Sequence, residues 1–179
     1  MITREQIIEL LTDKLKPLPW CYTFWLEGAD ANGTLDEYSD IDFWLDVEDA
    51  NEEDAYQAVE NALSELSEID YKYVTKHGHP KIRQRIYHLK DSSNYLLIDF
   101  CWQLHSRNPD DCKYIKGSKV ESAKVIFDKV SLIQFVDSNP AEYPKQYENQ
   151  LAEGKYRYTQ HARVEKYIRR GRFLEAWAY

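Results

Sequence analysis

The chain lacks the long apolar runs and the spaced cysteine pairs that define several classes of protein. Within its 179 residues, no apolar run approaches the roughly 20 residues of a membrane span. The opening MITREQIIELL carries charges where a secretory signal would be apolar. The three cysteines, Cys21, Cys101 and Cys112, form no C-x-x-C pair. We therefore expect a reduced, cytoplasmic protein without membrane contact.

Basic residues are scarce relative to acidic ones, with 23 Lys and Arg against 31 Asp and Glu and a formal net charge of -8. Because phosphate backbones recruit basic surfaces, this balance argues against general nucleic-acid binding. It is compatible with a metal-dependent enzyme, whose carboxylates count as negative until the ions arrive. The five histidines show neither H-x-x-x-H nor H-E-x-x-H spacing, so zinc chemistry is not expected.

Hydrophobic periodicity predicts an α+β protein with a helical C-terminal extension. The predicted elements are a helix from Thr3 to Pro17, strands at 20–26 and 40–47, a helix from Asn51, strands at 69–76, 82–89, 95–102 and 123–127, a polar loop at 105–118, and helices after Asn139 that break at Gly171. The last residues are apolar and lie within a predicted helix. We expect this helical region to be incomplete, or to contact a second copy or a helical partner.

Two acidic residues interrupt an apolar strand in the stretch YSDIDFWLDV. Asp40 and Asp42 are two residues apart, and alternate residues of a strand project from the same face. Such carboxylates raise each other's pKa unless a cation lies between them. Asp99 is the one charge in the predicted strand LLIDFCW, and three carboxylates on adjacent strands can hold two divalent ions for phosphoryl or nucleotidyl transfer. A solvent-exposed strand with alternating charges is the alternative.

Two further features are candidates for contact with an anionic ligand. Gly28 follows a predicted strand, where glycine lets the backbone approach a ligand closely. The segment lacks the Lys-Ser/Thr ending of a P-loop and the glycine position of an EF-hand. Lys81, Arg83 and Arg85 alternate along another strand and share one face. We expect either an anion-binding stripe or a solvent face paired with acids.

Taken together, these elements resemble the DNA polymerase β-type nucleotidyltransferase superfamily. Its pattern is an apolar strand, Gly-Gly or Gly-Ser, a short spacer, Asp-x-Asp in a second strand and an acid in a later one. Here Gly28-Ala29, ten residues, Asp40-Ile41-Asp42 and Asp99 take these places. GADANGTLDEYSDIDFW is most similar to the small-molecule branch, which reads Gly-Ser-x-Ala-x-Gly before Ser-Asp-x-Asp. That branch includes aminoglycoside and lincosamide nucleotidyltransferases and the minimal nucleotidyltransferases of toxin–antitoxin pairs.

The resemblance implies a nucleotidyltransferase domain over residues 1–136, with a mixed β-sheet flanked by helices, and a helical extension over 137–179 that closes over substrate. It implies transfer of a nucleoside monophosphate, with ATP as the expected donor, onto a hydroxyl of a small molecule such as an aminoglycoside-like antibiotic. Antibiotic resistance is the role that this would serve. The acidic composition favours a cationic acceptor.

The resemblance also implies roles for particular residues. Asp40 and Asp42 would hold one Mg²⁺, and the same pair with Asp99 would hold a second, unless Asp99 acts as the general base. The expected nucleotide contacts are Gly28, Ala29, Ser39, Lys81 and Arg83.

Two alternatives stay open. A toxin–antitoxin-type protein adenylyltransferase would modify a protein hydroxyl. A non-catalytic nucleotide-binding module would keep the fold without the reaction. Ala29 offers only its backbone N–H where the family has Ser, and Asp30 brings negative charge close to the phosphates, which favours the module. The complete set of Asp40, Asp42 and Asp99 favours an enzyme.

Overall fold

A computed structural model of the chain describes residues 1–118, 122–139 and 161–177, without the side chains of Glu175 and Trp177. The chain divides into two compact units, Met1–Asp137 and Ser138–Tyr179. In the second unit, residues 161–169 are helical and a short helix covers Phe173–Trp177. The helical prediction around Tyr147, Leu151 and Tyr158 lies outside the described residues. Within the described ranges, no helix is both long enough and apolar enough to cross a membrane.

The first unit is an α+β structure, as predicted. Its α-helices are α1 (Arg4–Leu15), α2 (Gly28–Asn32) and α3 (Glu52–Leu66). Its strands are β1 (Cys21–Leu26), β2 (Ile41–Val47), β3 (Ile69–Thr75), β4 (Ile82–Leu89), β5 (Ile98–Leu104), β6 (Lys113–Ile115), β7 (Lys124–Asp128) and β8 (Gln134–Val136). Short 3-10 helices cover Asp49–Asn51 and Pro109–Cys112.

Six strands form one mixed sheet in the order β3-β4-β5-β2-β1-β7, and β6 pairs with β8 in a separate sheet. β2 and β5 are parallel neighbours, whereas the other neighbours in the large sheet are antiparallel. The run β3-β4-β5 is an antiparallel meander. The predicted polar loop at 105–118 is wrong in part, because it contains a 3-10 helix and the three-residue strand β6.

Both long helices form where the sequence predicts them. Thr3 Oγ1 accepts a hydrogen bond from the Gln6 amide at 3.3 Å, and Gln6 Oε1 accepts one from the Thr3 amide at 3.0 Å, so a capping box begins α1. Helix α3 buries the apolar stripe that predicts it. These helices and the central strands share one core cluster, whose members include Leu11, Leu15, Val59, Leu63, Ile41, Phe43, Ile98 and Phe100.

Strand alternation divides the central strands between two faces of the large sheet. In β2, Ile41, Phe43 and Leu45 join the core under α1 and α3, a face that we call the helix-covered face. The residues between them, Asp42 and Trp44, project from the opposite face. We call this second face the carboxylate face. Its edge nearest β6 is closed by a smaller buried cluster of Trp25, Cys112, Tyr114 and Leu132.

Candidate active site

The parallel pairing of β2 with β5 brings two of the predicted carboxylates side by side. Asp42 is the direct neighbour of Asp99 in the strand register. Both line a cavity of about 340 Å³, which we call the carboxylate cavity. Asp40 lies one residue before β2 and is exposed, and its charge acts on both Asp42 and Asp99. The structure therefore places the three acids within electrostatic range of one another.

The carboxylate cavity is electrostatically uncompensated. Burial, followed by the charges of Asp40 and Asp99, raises the pKa of Asp42 to about 6. Burial also raises the pKa of Asp99, against an opposing contribution from a hydrogen bond with Gln84. In the part of the chain that the structure describes, no lysine or arginine forms an ion pair with Asp42 or Asp99. A cation entering this cavity would relieve the repulsion.

The donor chemistry of the cavity fits Mg²⁺. The acids offer only oxygen, and Mg²⁺ is usually bound by one or two carboxylates together with substrate phosphates rather than by an all-protein cage. Among the described residues, no three His, Cys, Asp or Glu side chains are already closed into a ligand group. Asp42 beside Asp99 offers two carboxylates, the number with which Mg²⁺ is usually bound when substrate phosphates supply the other oxygens.

The backbone of Gly28 lies directly against the Asp42 carboxylate. Gly28 has φ of +56°, and a Cβ placed there would lie 2.0 Å from Asp42 Oδ2. The preceding amide, Glu27 N, donates to the carbonyl oxygen of Asp42 at 2.9 Å. Left-handed backbone and close approach both require glycine. The predicted glycine turn is thus packed on the carboxylate cavity, and Ala29 follows it in the first turn of α2.

The two polar residues expected near the phosphates are engaged by other protein groups. Asp30 is buried and pairs with Arg4 of α1, with 2.5 Å between Nη1 and Oδ2. Arg4 also donates through Nη2 to the carbonyl oxygen of Ser39. The hydroxyl of Ser39 donates to Asp36 Oδ1 at 2.8 Å. Arg4 therefore neutralises the charge of Asp30, a partnership between distant residues that no sequence pattern indicates.

The basic strand is the neighbour of the strand that carries Asp99, but Arg83 and Arg85 face away from the carboxylate cavity and pair with acids, the second of the two expectations for this stripe. Arg83 pairs with Glu52 at 2.6 Å and Arg85 with Glu60 at 3.0 Å, and both acids belong to α3. Lys81 precedes β4 and donates to the carbonyl oxygen of Ser106. Alternation correctly puts Arg83 and Arg85 on one face. Alternation does not predict which face of the sheet this is. The ion pairs with the acids of α3 show that both arginines lie on the helix-covered face.

Several residues of the carboxylate cavity were not predicted. Besides Gly28 and the two aspartates, its wall contains Glu27, Trp44, His77, Gln84 and Cys101. Glu27 Oε1 accepts hydrogen bonds from the Tyr114 hydroxyl at 2.5 Å and from Trp25 Nε1 at 3.1 Å. A glutamate at a strand end and a glutamine within a strand carry no signal in the sequence. Their positions follow from tertiary pairing alone.

A second cavity of about 330 Å³ lies beside the first. The two share the walls formed by Glu27, Gly28 and Trp44. The remaining lining residues are Trp25, Arg107, Asp111, Lys113, Tyr114 and Ser122. Arg107 donates to Gln103 Oε1 at 2.5 Å and to Asp111 Oδ2 at 3.1 Å. The site thus offers one acidic space and an adjacent space with charges of both signs.

Comparison with known proteins adds no family assignment, because the chain matches no protein-family model and no curated protein. Its function is therefore inferred from the chemistry of the carboxylate cavity and of the cavity beside it.

Proposed function

We propose that the protein is a Mg²⁺-dependent nucleotidyltransferase that moves AMP from ATP onto a hydroxyl of a small molecule, such as an aminoglycoside-like antibiotic. On this proposal the first unit has the nucleotidyltransferase fold. The observation that supports it most is the register of β2 and β5, which sets Asp42 beside Asp99 within reach of the Asp40 charge. The Gly28 backbone against Asp42 gives independent support.

Asp40, Asp42 and Asp99 are the residues that would hold Mg²⁺. The ion would polarise the phosphoryl oxygens and lower the pKa of the acceptor hydroxyl. The carboxylates of Asp42 and Asp99 project from one face of the sheet because β2 and β5 fix their strands, and Asp40 would join them from the residue before β2. In the alternative role, Asp99 would take the proton from the hydroxyl as a general base.

The nucleotide would lie against the turn at Gly28 and Ala29, where Ala29 offers its backbone N–H to a phosphate. The Asp42 carboxylate occupies the space that a side chain at position 28 would need. Asp30 opposes this less than an unpaired acid would, since it forms an ion pair with Arg4. Arg107 and Lys113 line the adjacent cavity and replace Lys81 and Arg83 as candidate phosphate contacts. Each is paired with an acid, Arg107 with Asp111 and Lys113 with Asp110, and a phosphate would compete with that acid. Two neighbouring cavities suit a reaction that brings two substrates together.

Pyrophosphate release tests the proposal. The full chain is incubated with ATP, Mg²⁺ and a panel of hydroxylated acceptors that includes amino sugars and neutral sugars. Asp42→Asn should lower the rate roughly 10³-fold, equivalent to about 4 kcal/mol of lost charge stabilisation. Arg83→Met, a charge change on the helix-covered face, is the control and should retain the rate.

The same experiment separates the rival functions. Binding of Mg·ATP without pyrophosphate release from any acceptor would support a non-catalytic module. AMP appearing on a co-purifying helical protein would support the toxin–antitoxin role. Failure to bind Mg·ATP at all would contradict the whole proposal.

A further inference from the structure

The third carboxylate is held by a neutral side chain from the neighbouring strand. In the antiparallel register of β4 and β5, Gln84 lies opposite Cys101, and Ile86 lies opposite Asp99. The side chain of Gln84 reaches across to the carboxylate of Asp99. Its Nε2 lies 2.8 Å from Oδ1 and 2.8 Å from Oδ2. Both residues are partly buried and line the carboxylate cavity.

The equal distances fix the orientation of the Asp99 carboxylate. A nitrogen equidistant from both oxygens lies in the fork between them and resists rotation of the group in either direction. Each carboxylate oxygen has two lone pairs, so each can still accept a further ligand. Asp99 is therefore oriented and still able to bind a metal ion, next to Asp42 in the parallel register.

Position 84 holds an uncharged residue, whereas the residues on either side of it are arginines. Arg83 and Arg85 flank Gln84 and neutralise Glu52 and Glu60 by forming ion pairs. A cation at position 84 would neutralise Asp99 in the same way and compete with a metal ion. An amide donates hydrogen bonds but carries no charge, so the negative charge of Asp99 stays available to a divalent cation.

We propose that Gln84 is a positioning residue that orients Asp99 for Mg²⁺ and so sets the metal affinity of the carboxylate cavity. This inference rests on the proposed function. Hydrogen-bond partners of ligating carboxylates typically change metal affinity about 10–100-fold when removed, and we expect a loss in that range.

Metal binding to the full chain is the direct test. Mg²⁺ affinity is measured by calorimetry and Mn²⁺ affinity by electron paramagnetic resonance, each with a non-hydrolysable ATP analogue. Gln84→Met keeps the side-chain length and removes the donor, and it should weaken both affinities about 10–100-fold. Gln134→Met, at an exposed position of β8, is the matched control and should change neither. An unchanged or tighter affinity in Gln84→Met would overturn the inference.

A double-mutant cycle shows whether Gln84 acts through Asp99. In an Asp99→Ala background, Gln84→Met should cause no further loss of metal affinity, and an equal further loss would contradict the inference. Thermal unfolding without metal checks that each variant folds. If Gln84→Met does not fold, Gln84→Asn keeps the amide on a shorter side chain and should show the same weakening.

The failure of this inference is distinguishable from failure of the proposed function. If Asp42→Asn binds Mn²⁺ as tightly as the unaltered chain, the carboxylates are not the metal site and the proposed function fails. If binding requires Asp42 yet is indifferent to Gln84→Met, only the role of Gln84 is wrong.

Discussion

The two faces of the large sheet both carry charged side chains, and the arginines of β4 differ from Asp42 and Asp99 in whether an opposite charge is paired with them. On the helix-covered face, Arg83 and Arg85 are paired with acids of α3. On the carboxylate face, Asp42 and Asp99 stand together without a cation among the described residues, and the pKa of Asp42 rises to about 6. Paired charges of this kind contribute to the fold. Like charges that lie close together in a cavity and raise a pKa are typical of binding or catalytic sites.

A single strand register produces both faces. The parallel pairing that sets Asp42 against Asp99 also sets Phe43 against Phe100, whose rings stack with centroids 4.6 Å apart. A slip of one residue would send the carboxylates into the core and the aromatic rings into the cavity. The core therefore fixes the position of the site, and substitutions on the two faces should affect stability and function separately.

Phe43→Ala should give the largest loss of stability, because it removes a fully buried ring from the helix-covered face. We expect the free energy of unfolding to fall by about 3–5 kcal/mol, measured by urea denaturation. Val74→Ala, at a position on β3 that is 58% exposed, should lower it by less than about 0.5 kcal/mol. Similar losses from both would contradict the assignment of the core to this face.

Gly28→Ala should weaken Mg²⁺ binding, and Gly33→Ala is the matched control that shows the effect of backbone strain alone. Gly28 and Gly33 both have positive φ, but only the Cβ at Gly28 would meet Asp42. Each substitution should lower the free energy of unfolding by about 1–2 kcal/mol through backbone strain. Only Gly28→Ala should also weaken Mg²⁺ binding, since it must displace the Asp42 carboxylate. Calorimetry of both variants is the measurement, and equal Mg²⁺ affinities would count against the site.

Asp42→Asn should stabilise the metal-free protein while removing its function. The pKa of Asp42 is about 6 in the folded protein against an ordinary value of 3.8, so the folded state holds the proton more tightly. Wild-type stability should then fall as pH rises from about 4 through 6. At pH 8, Asp42→Asn should be more stable by about 1 kcal/mol, after allowance for solvent screening of a half-buried group.

The pH dependence of that stabilisation provides its check. Denaturant titrations with a chelator present should show the difference at pH 8 and not at pH 4, where Asp42 is protonated in the folded state. Asp13→Asn, on the exposed surface of α1, should leave the free energy of unfolding within about 0.5 kcal/mol at both values. A destabilised Asp42→Asn at pH 8 would mean that the carboxylate has a partner.

Arg83→Met should have the smallest effect. Its ion pair with Glu52 is partly exposed, and such pairs contribute about 0–1 kcal/mol. The free energy of unfolding should change by less than about 1 kcal/mol, and the affinity for Mg·ATP should not change. Loss of nucleotide affinity would show that the basic strand reaches the ligand.

Local signals in the sequence predict much of the fold. The capping box at Thr3 begins α1, and the apolar stripe of α3 and the alternation of β2 appear close to where periodicity puts them. The short strands β6 and β8 were not predicted, because three residues are too few to show an alternating pattern. Burial of Tyr114 from β6 against Trp25 is a long-range contact, which local patterns do not contain.

The candidate site was predictable where a residue type conflicted with its surroundings. Asp42 and Asp99 are carboxylates in apolar strands, and that conflict marks them in the sequence. Gln84 and Arg4 cause no such conflict, and their contacts depend on the register of β4 and on the packing of α1. The face of the sheet on which Arg83 lies could not be predicted either. Alternation shows which residues of a strand share a face, but not which face of the sheet that is.

Diffraction from a crystal grown with Mn²⁺ and a non-hydrolysable ATP analogue tests the central claim most directly. We predict an anomalous peak for Mn²⁺ within about 2.1 Å of an Asp42 oxygen, in contact with Asp99 or Asp40 and with the phosphates beside Gly28. A nucleotide bound elsewhere, or Mn²⁺ with no contact to Asp42, would contradict the account.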